Sequence, residues 1–296
     1  MTQPAVFQTI SQSSKWKKTL VQARYAIFHD VSGFIGFVIL ALICILSVIS
    51  PWVFPVDSAS NAAAILQPPS TEHILGTDHL GRDIFAQIAN GGRDLLVMAL
   101  ITATLGIFLG VILGAFSAII GGKVDSLLLL LADVWLSIPR LPLLVVLSAF
   151  ITLNSVTFAV LLAILSWAGL YRTIRAEVLS LKERPFIEAA FMQDLSLSHI
   201  VFKEIAPNLI GFIAINYTLL MKATIYAQVG LVFLGILPLE QNWGVMINQA
   251  WTQGVIYNPD SIVYILAPTL MICLLIVSLV WVGKSLEDVF HPSLRK

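Results

Sequence analysis

Residues 186–208 read FIEAAFMQDLSLSHIVFKEIAPN and form a charged, amphipathic stretch between two long apolar runs. A few polar residues are enough to connect two membrane-spanning helices, so a connection of this length and pattern needs a further explanation. The composition of the chain and the position of its charges indicate where the stretch lies and what it contacts.

The composition is that of a membrane protein with several spans. Of the 296 residues, 58% are hydrophobic and only 11% are charged, and the mean hydropathy is +0.90. Soluble domains contain about half apolar and about a quarter charged residues. The formal net charge is zero, with 17 basic and 17 acidic side chains, so no nucleic-acid partner is expected.

Six segments are long and apolar enough to cross a bilayer, which takes about 20 residues. The first two predicted spans are joined by a loop that contains Pro55, Pro68 and Pro69, with Pro51 at the end of the first span, and that is too polar to lie in lipid. We therefore predict an all-α membrane protein with six transmembrane helices, at Phe34–Val53, Leu95–Ile120, Ser126–Leu153, Val156–Tyr171, Leu209–Gly235 and Ile262–Val282.

Lysine and arginine residues concentrate on one side of these spans, and such residues mark the cytoplasmic side of a membrane protein. The opposite side carries only Arg82 and Arg93. Both termini and the 186–208 stretch are therefore predicted to be cytoplasmic, together with Lys15, Lys17, Lys18, Arg24, Lys123, Arg172, Arg175, Lys182, Arg184, Lys203, Lys284, Arg295 and Lys296.

The 186–208 stretch itself predicts two short helices separated by a turn. Pro185 suits a first helical turn, and Ile187, Ala190 and Phe191 form an apolar stripe. Ser198 is a candidate cap for the second helix, and Pro207 is expected to stop its continuation. The stripe fits two interpretations, insertion into a groove on a soluble partner or attachment to the membrane surface.

Three glycines recur every four residues in the second span, at Gly106, Gly110 and Gly114. This spacing places them on one helical face, where another helix backbone can approach closely. The spacing fits packing within this chain and also fits an interface with another subunit.

The motifs of the chain, taken in order, resemble one family. EAA at Glu188–Ala190, followed by Ile205 and Pro207, resembles the EAA loop of ATP-binding-cassette importer permeases. The stretches LGTDHLGRD, GGRDLL, DVWLSIPRLPLL, VFLG, NWG and HPSLRK resemble, more narrowly, the C-type subunit of the dipeptide/oligopeptide/nickel permease family. The likeness runs from about residue 32 to the end of the chain.

The resemblance implies a type I importer fold in which the EAA loop forms a coupling helix on a separate ATPase. The partners implied are a B-type permease, two ATP-binding subunits and an external substrate-binding protein, in a bacterial or archaeal cytoplasmic membrane. ATP and Mg²⁺ would bind to the ATPase subunits, and no cofactor to this chain. The residues implied in ATPase coupling are Ile187, Glu188, Ala189, Ala190, Phe191, Asp194, Ile205 and Pro207.

The sequence departs from the family pattern at two positions. Asp194 stands where the family usually has a glycine, and aspartate tolerates a left-handed backbone better than most residues but less well than glycine. Gln228 stands where relatives often carry a carboxylate, and an uncharged amide is cheaper to bury.

Polar residues within the predicted spans are candidates for the translocation pathway. Asp133 and Arg140 share roughly one helical face, but about 10 Å separates them along a straight helix, which argues against a direct bond without a bend at Pro139. Lys222 would suit a carboxylate-bearing cargo, although snorkelling or pairing with another helix is the alternative. The candidates are Asp133, Arg140, Asn216, Lys222 and Gln228.

In the long external loop, Asp78, Arg82 and Asp83 are candidates for contact with the binding protein, and the alternative is that they hold the loop to the bundle. His73 and His79 lie in the same loop, but two histidines without further ligands make a poor metal site. No metal site is predicted.

The chain is predicted to divide into four parts. These are an N-terminal interfacial segment (1–32), the first span with its external loop (33–94), a five-helix core (95–284) with its coupling loop at about 176–207, and a cytoplasmic tail (285–296). The basic N-terminal segment, in which Trp16, Leu20, Ala23 and Ile27 lie near one helical face, is predicted to anchor at the membrane surface.

Two other functional classes were weighed against an importer permease. A secondary transporter or channel would normally show inverted repeats or an intramembrane ion relay, and no convincing repeat is visible. A membrane-embedded enzyme would need a recognisable nucleophile or metal motif. The chain also lacks a phosphate-binding GxxxxGK[ST] loop, so no ATPase site of its own is predicted.

Overall fold

The computed structural model describes residues 30–56, 60–151, 154–237, 239 and 242–290. The predicted N-terminal interfacial helix and the HPSLRK motif lie outside the described residues. The described chain is helical, with nine principal helices: α1 Val31–Val53, α2 Ile84–Ile120, α3 Gly122–Leu136, α4 Arg140–Ser148, α5 Ser155–Lys182, α6 Pro185–Met192, α7 Leu197–Phe233, α8 Trp243–Thr252 and α9 Val263–Phe290.

Five of these helices, α1, α2, α5, α7 and α9, are long and apolar enough to cross a membrane without interruption. The predicted third span, Ser126–Leu153, is wrong as a single helix, since α3 and α4 meet at an angle of 74°. Pro139 has no N–H with which to continue α3, and it becomes the residue that begins α4. Counted together as one broken span, α3 and α4 bring the number of candidate spans to six.

Several helices extend beyond the predicted spans because hydropathy marks only the apolar part of a helix. The second helix begins at Ile84, well before the predicted Leu95, and its N-terminus is capped by the Asp83 carboxylate, which accepts a hydrogen bond from the Ala86 N–H at 2.9 Å. The fourth span continues past Tyr171 to Lys182. The charged residues of this extension carry α5 out of the apolar layer.

The central helix of the bundle is α2, which packs against α1, α5 and α7. The three glycines at Gly106, Gly110 and Gly114 face α5 and α7, and a Cβ atom at Gly110 would lie 2.6 Å from the Cβ of Leu170. Packing within the chain is therefore confirmed as the role of the glycine repeat.

A short helix that sequence analysis did not foresee, α8, is fixed to α2 by a buried tryptophan. Trp243 is 0% exposed and donates its indole N–H to the Ile88 carbonyl at 2.8 Å. The ring fits only because Gly91 and Gly92 have no side chains, since a Cβ at Gly91 would lie 2.6 Å from Trp243 Cδ1. This contact explains the NWG motif as a packing element.

The bundle has two ends, which differ in the segments that they contain. The basic end contains the α2–α3 junction at 120–125 and the segment 172–205. The long-loop end contains residues 60–83 and α8. The N-terminus of α5 and the C-terminus of α7 also lie at the long-loop end, because both helices run the full length of the bundle.

Candidate functional site

The short helix α6 lies at the basic end and begins as the sequence predicts. Pro185 occupies the first turn, where its missing N–H is not needed, and Glu188 in the same turn complements the helix dipole. No side chain caps this N-terminus, since Arg184 at the cap position makes no capping hydrogen bond.

The apolar stripe of α6 is divided between the chain interior and the surface. Ile187 and Ala190 are buried, at 0% and 4% exposure, and pack in a cluster with residues of α2, α5 and α7. Phe191 is 38% exposed. Two of the three stripe residues therefore anchor α6 to its own bundle, and Phe191 is the member of the stripe that is exposed.

The opposite side of α6 forms a mixed apolar and acidic surface, which we call the α6 outer face. It consists of Phe186, Glu188, Ala189, Phe191 and Met192, all of which are exposed. Met192 is the most exposed of the large apolar side chains among these, at 79%. Exposed apolar groups held on a rigidly anchored helix are a feature of protein contact surfaces.

The turn after α6 contains a residue with a left-handed backbone, at the position where the family usually has a glycine. Asp194 adopts a left-handed backbone, with φ of +55°. The Asp194 N–H donates to the Phe191 carbonyl at 3.0 Å and the Leu195 N–H donates to the Ala190 carbonyl at 3.3 Å, which together form a Schellman motif. The expectation that this turn needs a left-handed residue is confirmed, and aspartate supplies the conformation that glycine would adopt more easily.

The second helix of the stretch is continuous with the fifth span, contrary to prediction. Ser196, not Ser198, caps α7 by accepting a hydrogen bond from the His199 N–H at 3.3 Å. Pro207 does not end the helix, because it follows a π-helical segment at Ile200–Ile205. There the Ala206 N–H bonds to the Val201 carbonyl, five residues back, and this wider turn accommodates the proline ring.

The ends of α2, α3 and α5 next to α6 are joined by charged contacts that the sequence analysis did not predict. Arg175 of α5 binds Asp125 of α3 in a bidentate pair, with Nε–Oδ1 and Nη2–Oδ2 distances of 2.6 and 2.5 Å. Ser117 and Tyr171 add hydroxyl contacts to the same carboxylate. Lys182 Nζ donates to the Ala118 and Ile119 carbonyls near the end of α2, at 3.3 and 3.4 Å. Asp125 lies in GGKVD, which carried no motif by which to recognise the pair.

The pathway candidates on α3 and α4 do not contact each other. Asp133 pairs with Arg172 of α5, with 3.1 Å between Oδ1 and Nη1, and both side chains are about half exposed. Arg140 begins α4 beyond the bend, and its guanidinium makes no hydrogen bond or ion pair with any residue that the structure describes. The helix does bend at Pro139, yet no direct Asp133–Arg140 bond forms, because Asp133 pairs with Arg172 instead.

The candidates on α7 divide into surface and interior positions. Asn216 is half-buried and donates to the Phe212 carbonyl at 2.9 Å, while Lys222 is half-buried on the same helix. Gln228 is 0% exposed, and neither its Nε2 nor its Oε1 has a hydrogen-bond partner among the described residues. Gln228 therefore does not line a surface of this chain, which corrects its placement with the pathway residues.

The external-loop candidates hold the loop to itself and to α2. Asp78 is 0% exposed and accepts hydrogen bonds from Arg82 and from the Gln87 side chain at 2.9 Å, so its prediction as a binding-protein contact is wrong. Asp83 caps α2 and bonds to His73 Nδ1 at 2.8 Å. Of the three candidates, Arg82 and Asp83 remain partly exposed.

Electrostatics in this loop favour a charged aspartate and a neutral histidine. Burial alone would raise the pKa of Asp78, but hydrogen bonds from Arg82 and Leu80 and the charge of Arg82 outweigh it and hold the pKa below its usual value. Burial lowers the pKa of His79, whose Nδ1 lies 3.1 Å from the Tyr264 hydroxyl. His79 is half-buried and stacks on the Tyr264 ring, so it is a packed side chain and not a free surface histidine.

The sequence of the chain has counterparts among known proteins. Residues 106–296 match the family model described as the binding-protein-dependent transport system inner membrane component. The chain belongs to this family. The permease is thus a multi-span membrane component of a binding-protein-dependent transport system, and the resemblance seen in its motifs is confirmed.

Named relatives cover most of the permease. It is 29% identical to the oligopeptide transport system permease protein OppC of Bacillus subtilis over 96% of this chain and 91% of that protein. It is 28% identical to OppC of Haemophilus influenzae over 92% and 88% of the two chains. It is also 29% identical to the dipeptide transport system permease protein DppC of Bacillus subtilis over 88% and 82%. Family membership sets aside the secondary-transporter and enzyme alternatives.

Proposed function

We propose that this permease forms half of the translocation pathway of an ATP-binding-cassette importer for peptides or related small solutes. The proposed complex contains a second, B-type permease, two ATP-binding subunits and an external substrate-binding protein. Peptides are proposed as cargo because the named relatives are oligopeptide and dipeptide permeases. ATP and Mg²⁺ would bind to the ATPase subunits, and this chain would bind no cofactor and hydrolyse nothing.

The observation that carries the proposal is the division of α6 into two faces. Ile187 and Ala190 fix the helix to the bundle, and the α6 outer face is free to meet a soluble subunit. The alternative of a helix lying on the membrane surface is weakened, because Ile187, an apolar side chain that would have to insert into lipid, is already buried in protein. The orientation with α6 and both termini in the cytoplasm is part of the proposal, supported by the placement of basic residues.

The proposed mechanism is alternating access driven by the ATPase subunits. Closure of the ATPase pair moves α6, and the buried cluster transmits the movement to Ile200, Val201 and Ile205 at the beginning of α7. Since α7 is one helix of 37 residues from Leu197 to Phe233, movement at its base displaces the whole span. The pathway between the two permeases then opens alternately to the two sides.

The test is affinity purification of the tagged permease, co-expressed with its genomic neighbours. The parent is compared with a Glu188→Arg/Phe191→Asp double variant, which changes only exposed residues of the α6 outer face. Glu287→Arg, an exposed charge reversal near the end of α9, serves as the matched control. Mass spectrometry identifies the proteins that co-purify.

We expect the parent and Glu287→Arg to bring down an ATPase and a second permease, and the double variant to lose only the ATPase. If the double variant retains the ATPase at the parental level, α6 is not the coupling helix. If the parent purifies alone under these conditions, the proposed assembly is wrong.

A further inference from the structure

The bend between α3 and α4 creates a cavity that the coupling mechanism does not use. It has a volume of about 610 Å³ and is bounded by α4, α5 and α7. Its lining on α7 runs from Leu220 to Leu234, a rise of about 21 Å at 1.5 Å per residue, so it extends from the middle of the bundle toward the long-loop end. Ala223, Ala227 and Gly230 give this wall its depth because their side chains are small or absent.

The wall of the cavity is largely apolar, and two of its three hydroxyl groups are occupied, while the third, on the exposed Tyr226, makes no hydrogen bond with a described residue. Ser166 donates to the Leu162 carbonyl at 2.7 Å, and Thr224 donates to the Leu220 carbonyl at 2.8 Å. Leucine and alanine side chains supply most of the remaining surface. A polar ligand without a substantial apolar body would therefore gain little from this wall.

One charged group faces this apolar space. Arg140 is the charged side chain among the described residues that line the cavity, and its guanidinium has no ion-pair partner among the described residues. It lies against the backbone of α5 at Gly169, where an added Cβ would be 3.4 Å from Arg140 Nη2. Gly169 is near the middle of α5, and Arg140 is an exposed residue of this chain, so the charge lies at an accessible part of the cavity at this level of the bundle.

The chemistry of this arrangement favours an anion with an apolar body. A guanidinium presents paired N–H donors that match the two oxygens of a carboxylate. A cation within a membrane span is costly without a partner, so its presence points to an anion that binds there. The volume is within the range of about 300–1,000 Å³ that is usual for small-ligand sites.

We infer that this cavity is a cargo subsite in which Arg140 binds the C-terminal carboxylate of a peptide and the α4–α5–α7 wall holds its apolar side chains. The inference rests on the proposed function, which makes peptides the cargo. The inference assigns carboxylate binding to Arg140 and not to Lys222, since Lys222 is not among the residues that line the cavity.

The test is photolabelling of the full permease in lipid nanodiscs, which requires no partner subunit. The probe is a leucine-rich tripeptide that carries benzoylphenylalanine, used with a free C-terminal carboxylate and as the C-terminal amide. Labelled residues are mapped by mass spectrometry. The variants are Arg140→Gln, Arg140→Lys and Gly169→Leu, which fills the space beside the guanidinium without removing its charge.

We expect carboxylate-probe labelling of α4 and α7 to fall at least fivefold in Arg140→Gln and Gly169→Leu. Arg140→Lys should retain an intermediate level, and the amide probe should label the parent weakly. Arg93→Gln, which removes an exposed arginine outside the cavity, is the matched control and should label like the parent. Thermal unfolding of each variant checks that the fold is retained.

Equal labelling by carboxylate and amide probes, or unchanged labelling in Arg140→Gln, would overturn the inference. So would native mass spectrometry that finds an anionic lipid retained by the parent and lost from Arg140→Gln, since the occupant would then be lipid. Co-purification of the ATPase is measured in a separate experiment. A negative photolabelling result therefore leaves the proposed assembly in place, and a negative co-purification result does not affect the photolabelling result.

Discussion

Arg175 binds both carboxylate oxygens of Asp125, and this pair joins α5 to the first turn of α3 beneath the cluster that holds α6. The two side chains are only 21% and 13% exposed. Removing one partner of such a pair leaves the other charge desolvated and uncompensated, at a cost of about 3 kcal/mol.

Asp125→Asn or Arg175→Gln should therefore lower the stability of the permease by about 3 kcal/mol each. The double variant should lose clearly less than the two single losses combined, because neither charge is then left unpaired. The measurement is thermal unfolding of the purified permease in detergent. Strictly additive losses would show that the two residues act independently.

Replacing the left-handed residue at position 194 is expected to raise the stability of the permease, whereas the two variants above lower it. Asp194→Gly should stabilise the permease by about 1 kcal/mol, since a side chain in this conformation costs about 1–2 kcal/mol. Gln193→Gly is the matched control, because Gln193 has a φ of −85° and gains nothing from glycine. Unfolding midpoints that shift equally for both variants would contradict the assigned strain at Asp194.

Gln228 provides a test of an unsatisfied buried amide. Gln228→Leu should raise stability by about 1–2 kcal/mol, because it removes a buried polar group that has no partner. Thr224→Val, one helical turn away, is the control and should bring no such gain, since the Thr224 hydroxyl is bonded to the Leu220 carbonyl. A loss of stability in Gln228→Leu would show that the amide binds a group such as water.

The same Gly→Ala substitution is predicted to have opposite effects in the α2 glycine repeat and at Gly230 of α7. Gly110→Ala should cost about 1–3 kcal/mol, because the new Cβ would overlap Leu170. Gly230→Ala should gain about 1 kcal/mol, since no atom lies within 4 Å of its added Cβ and alanine favours helix. Unfolding midpoints of the two variants check this, and a stable Gly110→Ala would disprove the close contact.

The external loop should lose stability as the pH falls. In the folded protein both His79 and Asp78 have a pKa below the ordinary value. Their contributions to the free energy of unfolding are therefore complete above the unfolded pKa values of about 6.5 and about 3.9. These contributions are lost as the pH falls through the lower pKa values of the folded state. Between pH 7.5 and 5 the unfolding midpoint of the parent should drop. His79→Phe, which keeps a ring against Tyr264 but does not titrate, should drop less; equal drops would exclude His79 as the cause.

Much of this architecture could be predicted because it is set by hydropathy and local turn chemistry. The five continuous spans and the first turn at Pro185 follow from short-range rules. The left-handed backbone at Asp194 was raised as a possibility by the glycine that the resembling family usually has at this position. The bend at Pro139 was foreseen only as a condition for an Asp133–Arg140 bond. Whether a proline breaks a helix depends on its surroundings, as the opposite outcomes at Pro139 and Pro207 show.

The burial of particular polar residues could not be predicted, because it depends on contacts between distant segments. Asp78 is buried by a loop that folds back on itself, and Gln228 is buried by helices that pack around α7. In the same way, periodicity placed Ile187 and Phe191 on one stripe but could not show that the chain itself covers the first and leaves the second exposed.

The π-helical segment at Ile200–Ile205 absorbs one extra residue in α7. A π turn contains one residue more than an α turn, so the helix on either side of it keeps nearly the rotational phase of an uninterrupted α-helix. Deleting one residue in this turn, with α-helix restored, would therefore leave the direction of the α6 outer face nearly unchanged. Deleting one residue in the α-helical part of α7 would instead rotate everything before it by about 100° relative to the rest of the span. The direction in which the α6 outer face points therefore tolerates a change of chain length in the π turn but not in the α-helix that follows it.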